Sequence, residues 1–329
     1  MLASAAKRLL AHYDANARPL PWRSPPGAPP PDVYIVWLSE VMLQQTTVAT
    51  VKPRFRRFIQ RWPTVEALAA APDEEVLREW AGLGYYARAR NLIACAREVA
   101  ARGGFPRTEA ELRRLPGLGA YTAAAIAAIA FGERAVAIDI NVERVVARYR
   151  GVADRGAIRP LAEALTPAQR AGDFAQAMMD LGATICRPKA PDCPACPLAA
   201  DCKAFACGAP EAFSVAKTKR ERPHRHGIAW WIERDGAVWL VRRPEKGMLG
   251  GMAALPGPEW GDEAPKSPAL AIVTHGFTHF TLDLHIVARA EPVGDGWWQP
   301  IGKLGEAGLP TLYAKAVEVM LSRKEDLAA

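Results

Sequence analysis

Four cysteines fall within 17 residues, Cys186, Cys193, Cys196 and Cys202, at the spacing C-x6-C-x2-C-x5-C. Pro188, Pro191, Pro194 and Pro197 bend the chain between them, so four thiolates can wrap one compact centre. Such a ligand set suits a [4Fe–4S] cluster or a tetrahedral zinc ion, and the spacing alone leaves both open. Of the two other cysteines, Cys95 sits on a helical apolar stripe and reads as a small buried hydrophobe. Cys207 lies just past the cluster and has no assignable partner.

Two carboxylates stand out. Glu40 is set among Leu38, Val41, Met42 and Leu43. An acid in such company is partly desolvated, which raises its pKa and keeps a proton available near neutral pH. Taken alone, the segment fits an exposed glutamate on a wet helix face better. Asp139 stands just before a helix read over 141–149, where it serves as an N-cap, as a functional acid, or as both. Between the two acids runs Leu115-Pro116-Gly117-Leu118-Gly119, ahead of an Ala-rich helix over 121–131. Two glycines around one apolar residue make a tight turn with exposed N–H groups at a helix start. Such a turn can grip a phosphate, and Arg113 and Arg114 precede it.

The elements that must hold these groups are legible from periodicity. An amphipathic N-terminal helix covers 1–14, and a Pro-rich loop surrounds Pro21-Trp22-Arg23. From Asp32 to about Ala206 apolar residues recur at helical spacing, so residues 1–206 read as all-α. The stretch from Gly208 to His226 is basic and poor in large apolar residues, and reads as a linker. Short β-type runs follow at 227–233, 237–242 and 280–288, then a helix near 312–322. The expected organisation is a helical domain over 1–207, a linker over 208–226 and an α+β domain over 227–329.

Charge separates the same parts. Residues 1–226 hold 32 basic and 22 acidic residues, a net +10, whereas residues 227–329 hold 10 and 13, a net −3. A basic body of this kind suits a polyanionic partner, and charge alone suits a generally soluble basic surface as well. The longest fully apolar run, Ala123 to Phe131, is far short of the roughly 20 residues a membrane span needs. No export signal is recognised, so a reducing cytoplasm of bacterial type is expected, with the chain on the nucleoid when bound to DNA and no membrane partner.

Together these motifs resemble the adenine DNA glycosylases of the MutY family, in the helix-hairpin-helix superfamily. The likeness rests on Leu20-Pro21-Trp22-Arg23, Ser39 to Thr46, Gly82-Leu83-Gly84-Tyr85-Tyr86-Ala87-Arg88, the Leu115–Gly119 hairpin, Asp139 with Asn141, and the four-Cys loop. The fold it implies is an all-α helix-hairpin-helix glycosylase domain joined to an α+β Nudix-like domain. It implies a [4Fe–4S] cluster on the four cysteines, with a structural and DNA-contacting role, in place of zinc.

The family removes adenine mispaired with 8-oxoguanine. Carried over, Glu40 would protonate the leaving adenine at N7 and then help activate water. Asp139 would stabilise the oxocarbenium-like sugar, by charge or through a covalent intermediate. Tyr121 and Asn141 would support the site. Relatives that cut the backbone carry a lysine at position 121, so Tyr121 implies base excision without strong lyase activity. Gln45 and Tyr85 would enter the duplex around 8-oxoguanine. Leu115, Gly117 and Gly119 would hold the DNA backbone, while Arg18, Trp22, Arg23 and Gln176 would line the pocket for a flipped adenine. The implied partner is duplex DNA with an 8-oxoguanine:adenine or guanine:adenine pair, bound by a monomer.

The second domain resembles the family's MutT-like module, with Met248 to Met252 and Leu255-Pro256-Gly257 supporting the match. Phe277, Thr278 and His279 stand where the family carries its Phe-Ser-His motif for sensing 8-oxoguanine. No Nudix box follows Gly257, so damage recognition is expected and nucleotide hydrolysis is not. Two departures bear on the site. Ile140 replaces the usual Gly after the second acid, and β-branched Ile resists unusual backbone angles. Thr278 replaces Ser and adds a methyl to the recognition loop. Competing readings are a thymine or uracil mismatch glycosylase, opposed by Tyr121 and the second domain, and a lesion sensor that binds without catalysis.

Overall fold

The structure is a computed structural model that describes residues 2–213, 222–245 and 247–328. Among the described residues, twelve α-helices precede the strands: α1 (Leu2–Asn16), α2 (Val33–Leu43), α3 (Val48–Arg61), α4 (Val65–Ala70), α5 (Asp73–Trp80), α6 (Ala87–Ala101), α7 (Glu109–Leu112), α8 (Ala120–Phe131), α9 (Ile140–Arg150), α10 (Ile158–Leu165), α11 (Ala171–Thr184) and α12 (Lys203–Ala206). The strands are β1 (His224–Trp231), β2 (Glu233–Arg234), β3 (Ala237–Arg242), β4 (Ala253–Ala254), β5 (Ala271–Gly276), β6 (Thr281–Ala288) and β7 (Gly296–Pro300), and α13 (Thr311–Ala328) closes the chain. No described helix is long and apolar enough to cross a membrane.

Two compact units result, one of residues 1–70 and 94–218, the other of residues 71–93 and 219–329. The sequence places 71–93 with the helical domain because it is helical and contiguous with it. In the structure that segment makes contacts with the C-terminal stretch. Arg90 Nη1 donates to the Gly250 carbonyl at 2.7 Å, and Arg242 pairs with Glu74 at 2.7 Å.

The first unit is built around α2 and α8. Asp32 caps α2, its carboxylate accepting from the Tyr34 N–H. Every residue from Val36 to Met42 is buried, so α2 is a core helix with no wet face. The Ala-rich α8 is likewise buried from Thr122 to Ile129. Its small side chains let neighbouring backbones approach, and Gly172 of α11 rests on it where a Cβ would lie 2.5 Å from the Ala128 carbonyl. Helices α9 and α11 complete this core.

In the second unit, β1-β6-β5 form one sheet, with β1 parallel to β6 and β5 antiparallel to it. A second sheet runs β2-β3-β4, with β7 also on β3. The strand read at 227–233 divides into β1 and β2, and β1 begins at His224, inside the stretch read as linker. That strand start is set by pairing with β6, a long-range partner that local composition does not show. Residues 214–221 of the linker reading lie outside the described residues.

Candidate active site

The buried face of α2 delivers Glu40 to the floor of a cavity of about 900 Å³ in the first unit. The side chain is buried, and that burial pushes its carboxyl up to about 7. Tyr121 donates to Glu40 Oε2 at 2.8 Å and, with Arg23, limits the rise, while the nearby Asp139 charge adds to it. Tyr121 is itself raised well above an ordinary phenol, first by burial and then by Glu40, so its hydroxyl remains a donor. An acid that holds its proton near neutral pH, beside a hydroxyl that fixes its direction, is fitted for general acid work.

Asp139 caps α9. Its Oδ1 accepts from the N–H groups of Asn141 at 2.9 Å and Val142 at 2.7 Å, and its Oδ2 accepts from Asn141 Nδ2 at 2.8 Å. Capping and chemistry are therefore compatible: the helix start orients the carboxylate that faces the cavity. Ile140 is absent from the positive-φ residues, so the turn needs no angle that Ile resists, and its side chain is exposed.

Arg18, Trp22, Arg23, Gln45, Gly117, Gly119, Asn141 and Gln176 line the same cavity as Glu40, Tyr121 and Asp139. Gln176 is buried. Trp22 is both lining and core, its ring edge-on to Phe55 at 5.2 Å. Gln45 holds φ 57°, a left-handed backbone that a non-glycine residue adopts only when its surroundings impose it. In the hairpin, Gly117 at φ 75° satisfies the turn and Leu115 is a buried anchor that does not line the cavity.

The four cysteines, joined by Arg148, line a separate hollow, and none is in a disulfide. Burial, and after it the neighbouring cysteines, push the Cys196 thiol up to about 11; Cys193 and Cys202 are raised by the same two causes. Soft thiols that hinder one another's ionisation fit a cationic metal centre, which would relieve that strain. Cys95 is fully buried, its thiol pushed up to about 12 by burial, and Cys207 is exposed.

Tyr85, Phe277, Thr278 and His279 belong to the second unit. The Tyr85 and Thr278 hydroxyls lie 2.8 Å apart. Tyr85 also has positive φ, 49°, and an exposed ring. Phe277 stacks in an aromatic group with Trp260 at 5.5 Å and Phe280 at 4.8 Å, and His279 is exposed at the hairpin tip.

Three residues that the sequence reading passed over tie the site together. Asp180 of α11 is buried between Arg18 and Arg23, with contacts of 2.5 and 2.6 Å. Burial raises its carboxyl, but the two guanidinium groups outweigh that and hold it below the ordinary range. Its position between Met179 and Leu181 is the same signal that marks Glu40. Arg144 and Arg148, four residues apart on α9, are buried. Arg144 donates to Asn141 Oδ1 at 2.9 Å and to the carbonyls of Gly182 at 2.6 Å and Cys186 at 2.8 Å. Arg148 donates to the Arg187 and Pro188 carbonyls at 2.6 and 2.9 Å.

Known proteins match this arrangement. The family model described as HhH-GPD superfamily base excision DNA repair protein matches residues 38–167, and a NUDIX domain model matches residues 227–319. An adenine DNA glycosylase of Buchnera aphidicola subsp. Acyrthosiphon pisum is 32% identical across 94% of this chain and 95% of its own. One of Arabidopsis thaliana is 36% identical across 86% of this chain and 53% of its own, so the chain spans about half the length of that relative. Among solved structures, a thermostable thymine-DNA glycosylase superposes with a TM-score of 0.55 and 30% identity, covering 61% of this chain and 95% of that one.

The contact of α9 with α11 yields a prediction. A Cβ on Gly182 would lie 2.6 Å from the Cβ of Asn141. Gly182→Ala is expected to lower unfolding free energy by about 1–3 kcal/mol, as overpacking does. Denaturant unfolding within about 0.3 kcal/mol of wild type would show that α9 and α11 are not in that contact.

Proposed function

The chain belongs to the adenine DNA glycosylase family, and on that premise we propose that it excises adenine mispaired with 8-oxoguanine, and with guanine, from duplex DNA. The observation that carries the reading is Glu40: a buried carboxyl, pushed up to about 7, oriented by Tyr121 and sharing one cavity with Asp139. Adenine is a poor leaving group until protonated, and Glu40 holds the proton for it. The sugar cation that forms as the bond breaks needs a nearby negative charge, which Asp139 supplies. A duplex hides the bond, so the base must be extruded, and a cavity of about 900 Å³ accommodates a nucleotide. Position 121 holds a tyrosine engaged with Glu40, so no lysine stands there to form a Schiff base and the product is an abasic site in an uncut strand.

The remaining residues fall into recognition roles. The left-handed residues Gln45 and Tyr85 enter the duplex, one from each unit. Thr278 and His279 read the lesion, with Phe277 anchoring their hairpin in its aromatic group. Cys186, Cys193, Cys196 and Cys202 would hold a [4Fe–4S] cluster, which would stiffen the loop against α9 and present it to DNA. The protein acts as a monomer in base excision repair, in a cytoplasm of bacterial type.

The deciding experiment is single-turnover base release from duplexes carrying one 8-oxoguanine:adenine, guanine:adenine, guanine:thymine or thymine:adenine pair. Adenine release from the first two, with strands intact until alkali, is expected; thymine release in place of adenine would overturn the reading. Glu40→Gln removes the proton source and is expected to slow release by at least about 10²-fold while lesion binding persists. Unimpaired release by that variant would remove Glu40 from the chemistry.

Because Glu40 must be protonated to act, the release rate should fall as pH rises through about 7, approaching tenfold per unit above it. A rate that climbs across that range would assign Glu40 the opposite role, as a base. His279→Ala is expected to lower the preference for 8-oxoguanine over guanine opposite adenine by about tenfold, the equivalent of about 1.4 kcal/mol. An unchanged ratio of the two rates would take His279 out of lesion reading.

A further inference from the structure

Away from the cavity and the cysteine loop, the second unit gathers three of the chain's six histidines on one patch of sheet. Parallel pairing of β1 with β6 sets His226 beside Asp283 and Ile228 beside His285. Strand alternation then sends His224, His226, Asp283 and His285 to one face. The other face, with Gly227, Ala229, Leu282 and Leu284, is buried.

The side chains converge. One ligand atom from each of His224, His226 and Asp283 lies within 4.8 Å of the others. His224 Nε2 is 2.9 Å from Asp283 Oδ2, and the second carboxylate oxygen accepts from Thr274 Oγ1 at 2.6 Å. His226 Nδ1 is 3.4 Å from His285 Nε2. The backbone of His226 is held on both sides, by β6 and by reciprocal hydrogen bonds with Gly261 at 2.8 and 2.9 Å.

Three imidazoles in a row repel one another when protonated. Neutral, His226 can donate its Nδ1–H to His285 Nε2, which leaves the His226 Nε2 lone pair for a metal ion. A bound metal takes such lone pairs and favours the neutral rings. We propose that His224, His226 and Asp283 bind one divalent transition-metal ion, with zinc as the reference case, and that His285 positions His226. Two imidazoles and a carboxylate suit zinc, cobalt and nickel, whereas magnesium and calcium require oxygen ligands. A partner on the far ring nitrogen of a ligating histidine is the usual support for such a site.

The ion would tie the first residues of β1 to β6. Its ligand Asp283 stands two residues into the strand that leaves the hairpin of Phe277, Thr278 and His279, and Thr274 lies on the other arm. The metal would thus clamp the root of that hairpin, a positioning role with no bond-making step.

The test uses the full chain with Zn²⁺ alone, titrated in competition with a chromophoric chelator. Wild type is expected to take up one Zn²⁺ that His226→Ala and Asp283→Asn lose, with at least about 100-fold weaker binding, while His285→Ala weakens it by about 10–100-fold. Zinc held by the cysteine loop would be untouched by these changes, so equal uptake by wild type and His226→Ala would overturn the proposal. His224→Gln, at the exposed strand start, guards against a folding artefact, with unchanged circular dichroism as its control. Co²⁺ supplies the second readout. Visible d–d bands without a thiolate charge-transfer band, lost in His224→Gln, would support the site; thiolate bands alone would place the metal on the cysteines and overturn it.

Discussion

The arrangement depends on burying one carboxyl in the wall of a cavity. Glu40 holds a proton near neutrality because the residues around it on α2 are buried and α8 packs against that helix with alanines. Fuller exposure would return it toward an ordinary acid, and the Tyr121 hydrogen bond by itself pulls in that direction. The guanidinium of Arg23 pulls the same way, but it is already engaged by Asp180 at 2.6 and 3.0 Å. Asp180 thus pairs with the same cation that bears on Glu40.

The second acid is governed by a different device. Asp139 is placed by the backbone of α9, through two N–H groups and the amide of Asn141. The helix is fixed in turn by Arg144 and Arg148, whose donors end on carbonyls of α11 and of the chain at Cys186, Arg187 and Pro188. One helix thus connects the cavity to the cysteine loop. A centre held by those cysteines would stiffen the carbonyls that anchor α9, so its structural contribution reaches Asp139 without touching substrate.

Much of this was legible beforehand because the signals are local. An acid among apolar neighbours marked Glu40, an acid before a helix marked Asp139, and the tight proline-bent spacing marked the four cysteines. What escaped notice is set by long-range packing. Arg144 and Arg148 follow the spacing of a solvated helix face and lose it only because the cysteine loop folds over them. Residues 71–93 carry no sign of joining the C-terminal stretch, since Arg90 and Glu74 meet their partners at Gly250 and Arg242, far along the chain. The start of β1 at His224 was hidden for the same reason: a basic, proline-containing stretch becomes a strand when β6 offers it a ladder.

That membership of 71–93 changes how the substitution at Thr278 is to be weighed. Judged from the sequence, the added methyl threatens to crowd the loop. In the structure Thr278 is exposed, and its hydroxyl meets that of Tyr85 at 2.8 Å. The hydroxyl, which serine and threonine share, makes the contact. β-Branching narrows the rotamers open to the side chain, which favours keeping that hydroxyl in place. Tyr85 is itself held in a left-handed backbone conformation, so its ring direction is set by its surroundings. A residue proposed to enter the duplex and a residue proposed to read the lesion are therefore bonded to one another within a single unit. Threonine at this position is better understood as a restraint on that pair than as damage to the recognition loop.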